Sequence, residues 1–212
     1  MGTDLGLSLL DGQVRDADPD RWLSSRFVGE TQARADLIAL YAFEAELSAI
    51  PTRVSQPMLA EMRFTWWAEQ MDGVFAGTPR KGHPVLEALA GAVARGGLER
   101  APFDALIEAQ IGRVHGDPHD LEALFVGPMQ AAVHLLAGPG HEAAALAGRV
   151  RGLVWTGRFD EAKALRAEAN RALKRLPSEA FPAVAHAALT RPDAPEPVKR
   201  LRLVWAVATG RI

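Results

Sequence analysis

The sequence predicts an all-α fold, and three observations predict it. Apolar side chains recur at three- and four-residue steps along most of the chain. Proline and glycine cut that pattern into segments of helical length, with prolines standing where helices would open. Valine and isoleucine nowhere alternate with polar residues long enough to form a strand. The 212 residues, 48% hydrophobic and 24% charged, suit one domain with a substantial core. Residues 1–212 are therefore read as a single helical domain, with 1–18 a flexible arm and 138–212 its divergent part.

The elements follow in order. A short helix is predicted over 20–27 and a second over 31–51, where Leu37, Leu40, Tyr41, Glu44 and Leu47 keep helical spacing and Pro51 is the stop. Pro57 opens the next helix, which carries Met58, Leu59, Met62, Trp66, Met71 and Phe75 and closes at Gly77. A helix over 84–95 ends at Gly96-Gly97, and Pro102 opens one through Leu106 and Ile107 to Ile111. Gly116-Asp117-Pro118-His119-Asp120 reads as a turn or the start of the following helix. Leu121, Leu124, Phe125, Met129, Val133 and Leu136 form a stripe that Gly138-Pro139-Gly140 breaks. Helices are then predicted up to Trp155 and over 159–176, 178–189 and 197–208, in a segment richer in alanine and arginine that reads as a looser sub-bundle.

Composition excludes several functions. A net charge of −2 offers no broad field for nucleic acid. With no cysteine there is no disulfide, thiolate metal site or cysteine nucleophile. No stretch approaches the roughly 20 apolar residues of a spanning helix, and residues 1–10 have neither the basic start nor the apolar run of a secretory signal. A cytoplasmic location is expected, with peripheral membrane contact left open.

Single features carry little chemistry. His115 and His119 have the i, i+4 spacing of zinc ligands, but Gly116 and Pro118 interrupt the helix that spacing needs, so no metal site is expected. No G-x-S-x-G motif or phosphate loop occurs. Trp155 to Ala162 resembles the turn and second helix of one tetratricopeptide unit, and a single unit cannot stack into an array.

A larger resemblance covers the first half. Asp20-Arg21-Trp22-Leu23, Leu40-Tyr41-Ala42-Phe43, Val54 to Arg63, Trp66-Trp67, Asp72 to Gly77, His83-Pro84-Val85 and Phe103 to Ala109 stand in the order of the squalene/phytoene synthase family, the head-to-head trans-isoprenyl diphosphate synthases. The resemblance implies an isoprenoid-synthase-like helical bundle, truncated here in its C-terminal half. Working members hold magnesium on two aspartate motifs, because diphosphate leaves only when cations absorb its charge. The first motif would fall at Ser48 and Thr52, whose hydroxyls supply no negative charge; the D-x-x-x-D pair Asp16 and Asp20 lies in what reads as a loop. The pattern resembles the degenerate branch that includes the mitochondrial complex I assembly factor.

The expectation is thus a non-catalytic family member without cofactor: an assembly or isoprenoid-binding factor for a membrane-associated complex, with an isoprenoid lipid or a protein as partner and its oligomeric state open. The alternatives are an active prenyl transferase with atypical ligands, which would need magnesium, and a helical protein-interaction module. Tyr41, Glu44, Arg63, Trp67 and Glu108 are the expected cavity-lining residues, with no catalytic or metal-binding residue among them.

Overall fold

The computed structural model describes residues 2–191 and 193–212, and every regular element among them is helical. In chain order these are α1 (Gly2–Ala17), α2 (Pro19–Ser25), α3 (Thr31–Arg53), α4 (Pro57–Phe75), α5 (Pro84–Gly96), α6 (Ala101–His115), α7 (Gly127–Ala137), α8 (Ala143–Trp155), α9 (Phe159–Ala172) and α10 (Glu196–Thr209). A π-helical turn, Glu122–Val126, runs into α7, and three 3-10 segments lie between α9 and α10.

α3 is the axis of the bundle. Its residues 36–44 are buried without interruption, the mark of a helix enclosed on all sides. α1, α4, α5, α6 and α7 all pack against it. Phe43, fully buried, meets the rings of Trp67 at 5.5 Å and Phe103 at 5.6 Å. Pro51 does not end this helix, contrary to expectation: α3 continues to Arg53, and Val54 still donates to the Ile50 carbonyl at 3.0 Å. So close to the C-terminus a proline removes only one ladder bond, and its fixed φ suits the helix.

Other differences from the expected elements have physical causes. Residues 1–18, expected as a flexible arm, carry α1, with Met1 outside the described residues. Leu10 and Val14, one turn apart, are buried and seat it on the core. Gly2, Gly6 and Gly12 obscured it in the sequence, since each glycine weakens a helix by about 1 kcal/mol. The run Asp16-Ala17-Asp18-Pro19-Asp20 is the junction of two helices rather than a loop: Asp18 caps α2 by accepting from the Arg21 amide at 3.0 Å, and Pro19 takes the first helical position. α6 runs past Ile111 to His115, where Gly116 turns the chain at φ 88°. The helix expected over 178–189 is instead two 3-10 pieces, Ser178–Ala183 and Ala185–Ala188, because Pro182 cannot donate to an α ladder.

Leu153, Val154 and Ala162 form a small cluster of their own, and most buried apolar side chains form one cluster reaching from Leu10 to Ile212. The segment after Gly138, expected as a looser sub-bundle, is built into it through Ala144, Ala147, Val150, Phe181 and Leu203. α8 approaches the π turn unusually closely. A Cβ on Gly148 would stand 2.8 Å from the Phe125 carbonyl oxygen, and one on Gly152 would stand 2.9 Å from the Phe125 ring. Phe125 and Arg151, from the two closely packed elements, both line one hollow.

Candidate functional site

α2, α3, α6, the π turn, α8 and α10 enclose a cavity of about 620 Å³. α3 supplies Tyr41, Glu44, Ser48 and Thr52, which succeed one another at three- and four-residue steps and so share a face. Tyr41 and Glu44 are buried at the floor, and Ser48 and Thr52 are exposed at the rim. α6 contributes Leu106, Gln110 and Arg113, the π turn Leu124 and Phe125, α8 Arg151 and Trp155, and α10 Lys199. Asp18, Asp20 and Arg21 line it from the start of α2.

The cavity carboxylates are already engaged. Arg21 donates to Glu44 Oε2, and its guanidinium also lies 3.5 Å from Asp18 and 5.2 Å over the Tyr41 ring. Asp20, buried, accepts from Lys199 Nζ at 2.9 Å and Arg151 Nη2 at 3.2 Å. Arg113 is different. It donates to Gln110 Oε1 at 2.7 Å and stacks 5.2 Å from the Trp155 ring, and it forms no salt bridge among the described residues. Burial lowers its pKa, with no carboxylate offsetting the effect.

The floor, and His186 packed against Tyr41 outside the lining, hold polar atoms without partners. Tyr41 Oη, Glu44 Oε1 and both ring nitrogens of His186 are buried and unbonded. His186 lies edge-on to Tyr41, with ring centroids 6.5 Å apart. Burial raises the Glu44 pKa although Arg21 opposes it, and burial likewise raises that of Tyr41. Burial, then the charges of Arg21 and Arg151, push His186 well below 6.5 and keep it neutral. Buried polar groups left without partners are rare, and here they cluster beside a hollow.

Residues 14–125, just over half of the chain, match the family model described as squalene/phytoene synthase. The chain belongs to the squalene/phytoene synthase family. Its all-α bundle is the isoprenoid-synthase-like fold of that family. No curated protein matches the chain significantly. The match covers α2 to α6 and most of the π turn, whereas Arg151, Trp155 and Lys199 come from beyond it.

Magnesium, which this family's chemistry employs, does not fit the donors of this squalene/phytoene synthase-family cavity. Among the described residues no three histidines or acids gather as a metal site. Asp20 is taken by two cations and Glu44 by one. Ser48 and Thr52, on the open turn of α3, offer hydroxyls where a divalent ion prefers carboxylates, and Thr52 Oγ1 donates back to Ala49 O at 2.8 Å.

Of the five residues expected to line a cavity, the structure brings Tyr41 and Glu44 together and sets three apart. Trp67 is core packing, wedged among Phe43, Trp66 and His83 with centroids 5.2–5.5 Å away. Arg63 is exposed on α4, a helix that gives nothing to the cavity. Glu108 is exposed because it lies two residues from both Leu106 and Gln110, about 200° around α6 from the lining face. His115 and His119 do not converge on one site: His115 pairs with Glu61 at 3.2 Å, and His119 stacks on Trp155 at 5.0 Å. The sequence reading missed Arg113, Arg151, Lys199 and His186. The G-x-x-x-G run from Gly148 to Gly152, which flanks Arg151, was the signal that α8 packs closely there.

Proposed function

We propose that the chain is a non-catalytic member of the squalene/phytoene synthase family that binds an isoprenoid ligand in its cavity and serves the assembly or maintenance of a membrane-associated complex. The observation that carries this is the state of the α3 face. It keeps the cavity, yet it presents Ser48 and Thr52 where paired acids would hold magnesium, and the remaining carboxylates are bound to arginine and lysine. Diphosphate departure needs its charge absorbed by cations free to follow it, and fixed internal ion pairs do not supply them. The volume lies within the range of small-molecule sites, and Leu106, Leu124, Phe125 and Trp155 give it an apolar side. The resemblance to the branch containing the complex I assembly factor supports the assembly role.

Incubation of the purified protein with farnesyl or geranylgeranyl diphosphate and magnesium tests the first half. No pyrophosphate release above a protein-free control is expected, and turnover would establish an active transferase instead. Native mass spectrometry tests the second half: a co-purifying isoprenoid is expected, and a protein that neither carries nor takes up one would refute ligand binding.

A second function, as a helical interaction module, draws support from exposed apolar side chains on two helices. Met58, Leu59 and Met62 crowd the start of α4, and Val198, Leu201, Val204 and Trp205 stand out from α10.

A further inference from the structure

We infer that the cavity takes an amphiphile whose head group carries one or two negative charges, such as a phosphate monoester or a carboxylate, and that Arg113, Arg151 and Lys199 bind this head directly without a divalent cation. The inference deepens the ligand-binding function proposed above and rests on it.

Charge sets the head group. Four cations line the cavity against three carboxylates, leaving an excess of one positive charge. Arg113 has no acidic partner among the described residues and is half-buried against Trp155. A guanidinium presents a planar fork of donors suited to phosphate or carboxylate oxygens. Arg151 and Lys199 share one acceptor, Asp20, and keep further donors for an incoming anion. Arg113, Arg151 and Lys199, with Asp20 as the one carboxylate bound among them, carry two net positive charges, which match a monoester with about −1.5 to −2 and fall short of the three on a diphosphate ester.

The floor gives an independent sign that a polar group belongs there. Tyr41 Oη and Glu44 Oε1 are buried and unbonded, and both residues line the cavity. Tyr41 can donate to a head-group oxygen. Glu44 stays bound to Arg21 through its other oxygen. At the rim, the hydroxyls of Ser48 and Thr52 leave the path to Arg113 without the opposing charge that aspartates would set there. Leu124, Phe125 and Trp155 supply apolar walls for the tail.

Calorimetric titration of farnesyl phosphate into the full chain, once in EDTA and once in magnesium, tests this. Equal, saturable binding in both buffers is expected. Arg113→Gln should weaken it about tenfold or more, the loss of one hydrogen bond to a charged group. The variant should fold, since it removes an unpaired and partly desolvated charge. Ser48→Asp, at an exposed position, should weaken binding in EDTA as a second and structurally mild probe. Farnesol, lacking the charge, should bind about tenfold more weakly or worse. Phosphatidic acid in phosphatidylcholine vesicles separates the source: tighter Arg113-dependent binding there assigns the head to a membrane lipid, and tighter binding of farnesyl phosphate assigns it to a soluble ester. Binding that requires magnesium, or that neither substitution alters, overturns the inference. Farnesol bound as tightly as its phosphate also overturns it while leaving isoprenoid binding intact. Failure of farnesol, farnesyl phosphate and the vesicles alike overturns both.

Discussion

The two walls of the cavity stand differently toward the family match. The wall of α2, α3 and α6 lies within the stretch that matches the squalene/phytoene synthase family, and it retains a helix face pointing inward with hydroxyls at its rim. The wall of α8 and α10 lies beyond that stretch and brings Arg151 and Lys199, which reach Asp20 across 131 and 179 residues of sequence. One wall presents the hydroxyls of Ser48 and Thr52 at its rim, and the other neutralises Asp20. Together they line a cavity with a positive excess.

The largest expected effect separates packing from lining. Trp67→Ala should cost about 3–5 kcal/mol in urea unfolding, because it empties a core position among Phe43, Trp66 and His83. Trp155, nearly half exposed on the cavity wall, should cost less than about 1.5 kcal/mol on the same change while losing ligand binding. Equal costs would erase the distinction between core and site.

The two ion-pair arrangements should also differ. Arg21→Ala strands Glu44 in a buried position without its bonded cation and should cost about 3–5 kcal/mol. Lys199→Ala should cost less than half as much by chemical denaturation, because Asp20 keeps Arg151. A smaller loss is expected at the junction of the walls. Gly148→Ala drives a Cβ into the Phe125 backbone, which cannot rotate away, and should cost about 1–3 kcal/mol.

The smallest effects are those of pH. His186 is held neutral in the fold, with its pKa below 6.5, so the unfolded chain binds more protons and stability falls as pH drops from 6.5 toward the folded value. The slope contributed is at most about 1.4 kcal/mol per unit, and His186→Leu should lack it. Glu44 acts oppositely: its raised pKa makes stability fall as pH climbs above 4.5, and Glu44→Gln should remove that decline. Thermal melts of wild type and variants across pH 4–8 check both signs.

Much of this was legible in the sequence, and the rest has identifiable reasons for being hidden. The three-residue spacing of Tyr41 and Glu44 on one predicted helix puts them on one face. Which face of a neighbouring helix looks inward depends on tertiary rotation. Gln110 therefore lines the cavity while Glu108, two residues away, faces outward, and Trp67 packs the core. Pairs such as Arg151 with Asp20 leave no local pattern, because their partners are far apart in the chain. α1 was hidden by its glycines, and the 3-10 pieces over 178–189 by an apolar spacing that also suits an α-helix.

Magnesium titration by calorimetry, with and without inorganic pyrophosphate, tests the claim that fixed side-chain cations have replaced metal in this cavity. No saturable magnesium binding is expected in either case. Stoichiometric magnesium uptake that appears only with pyrophosphate, and is lost in an Asp20→Asn variant, would contradict it.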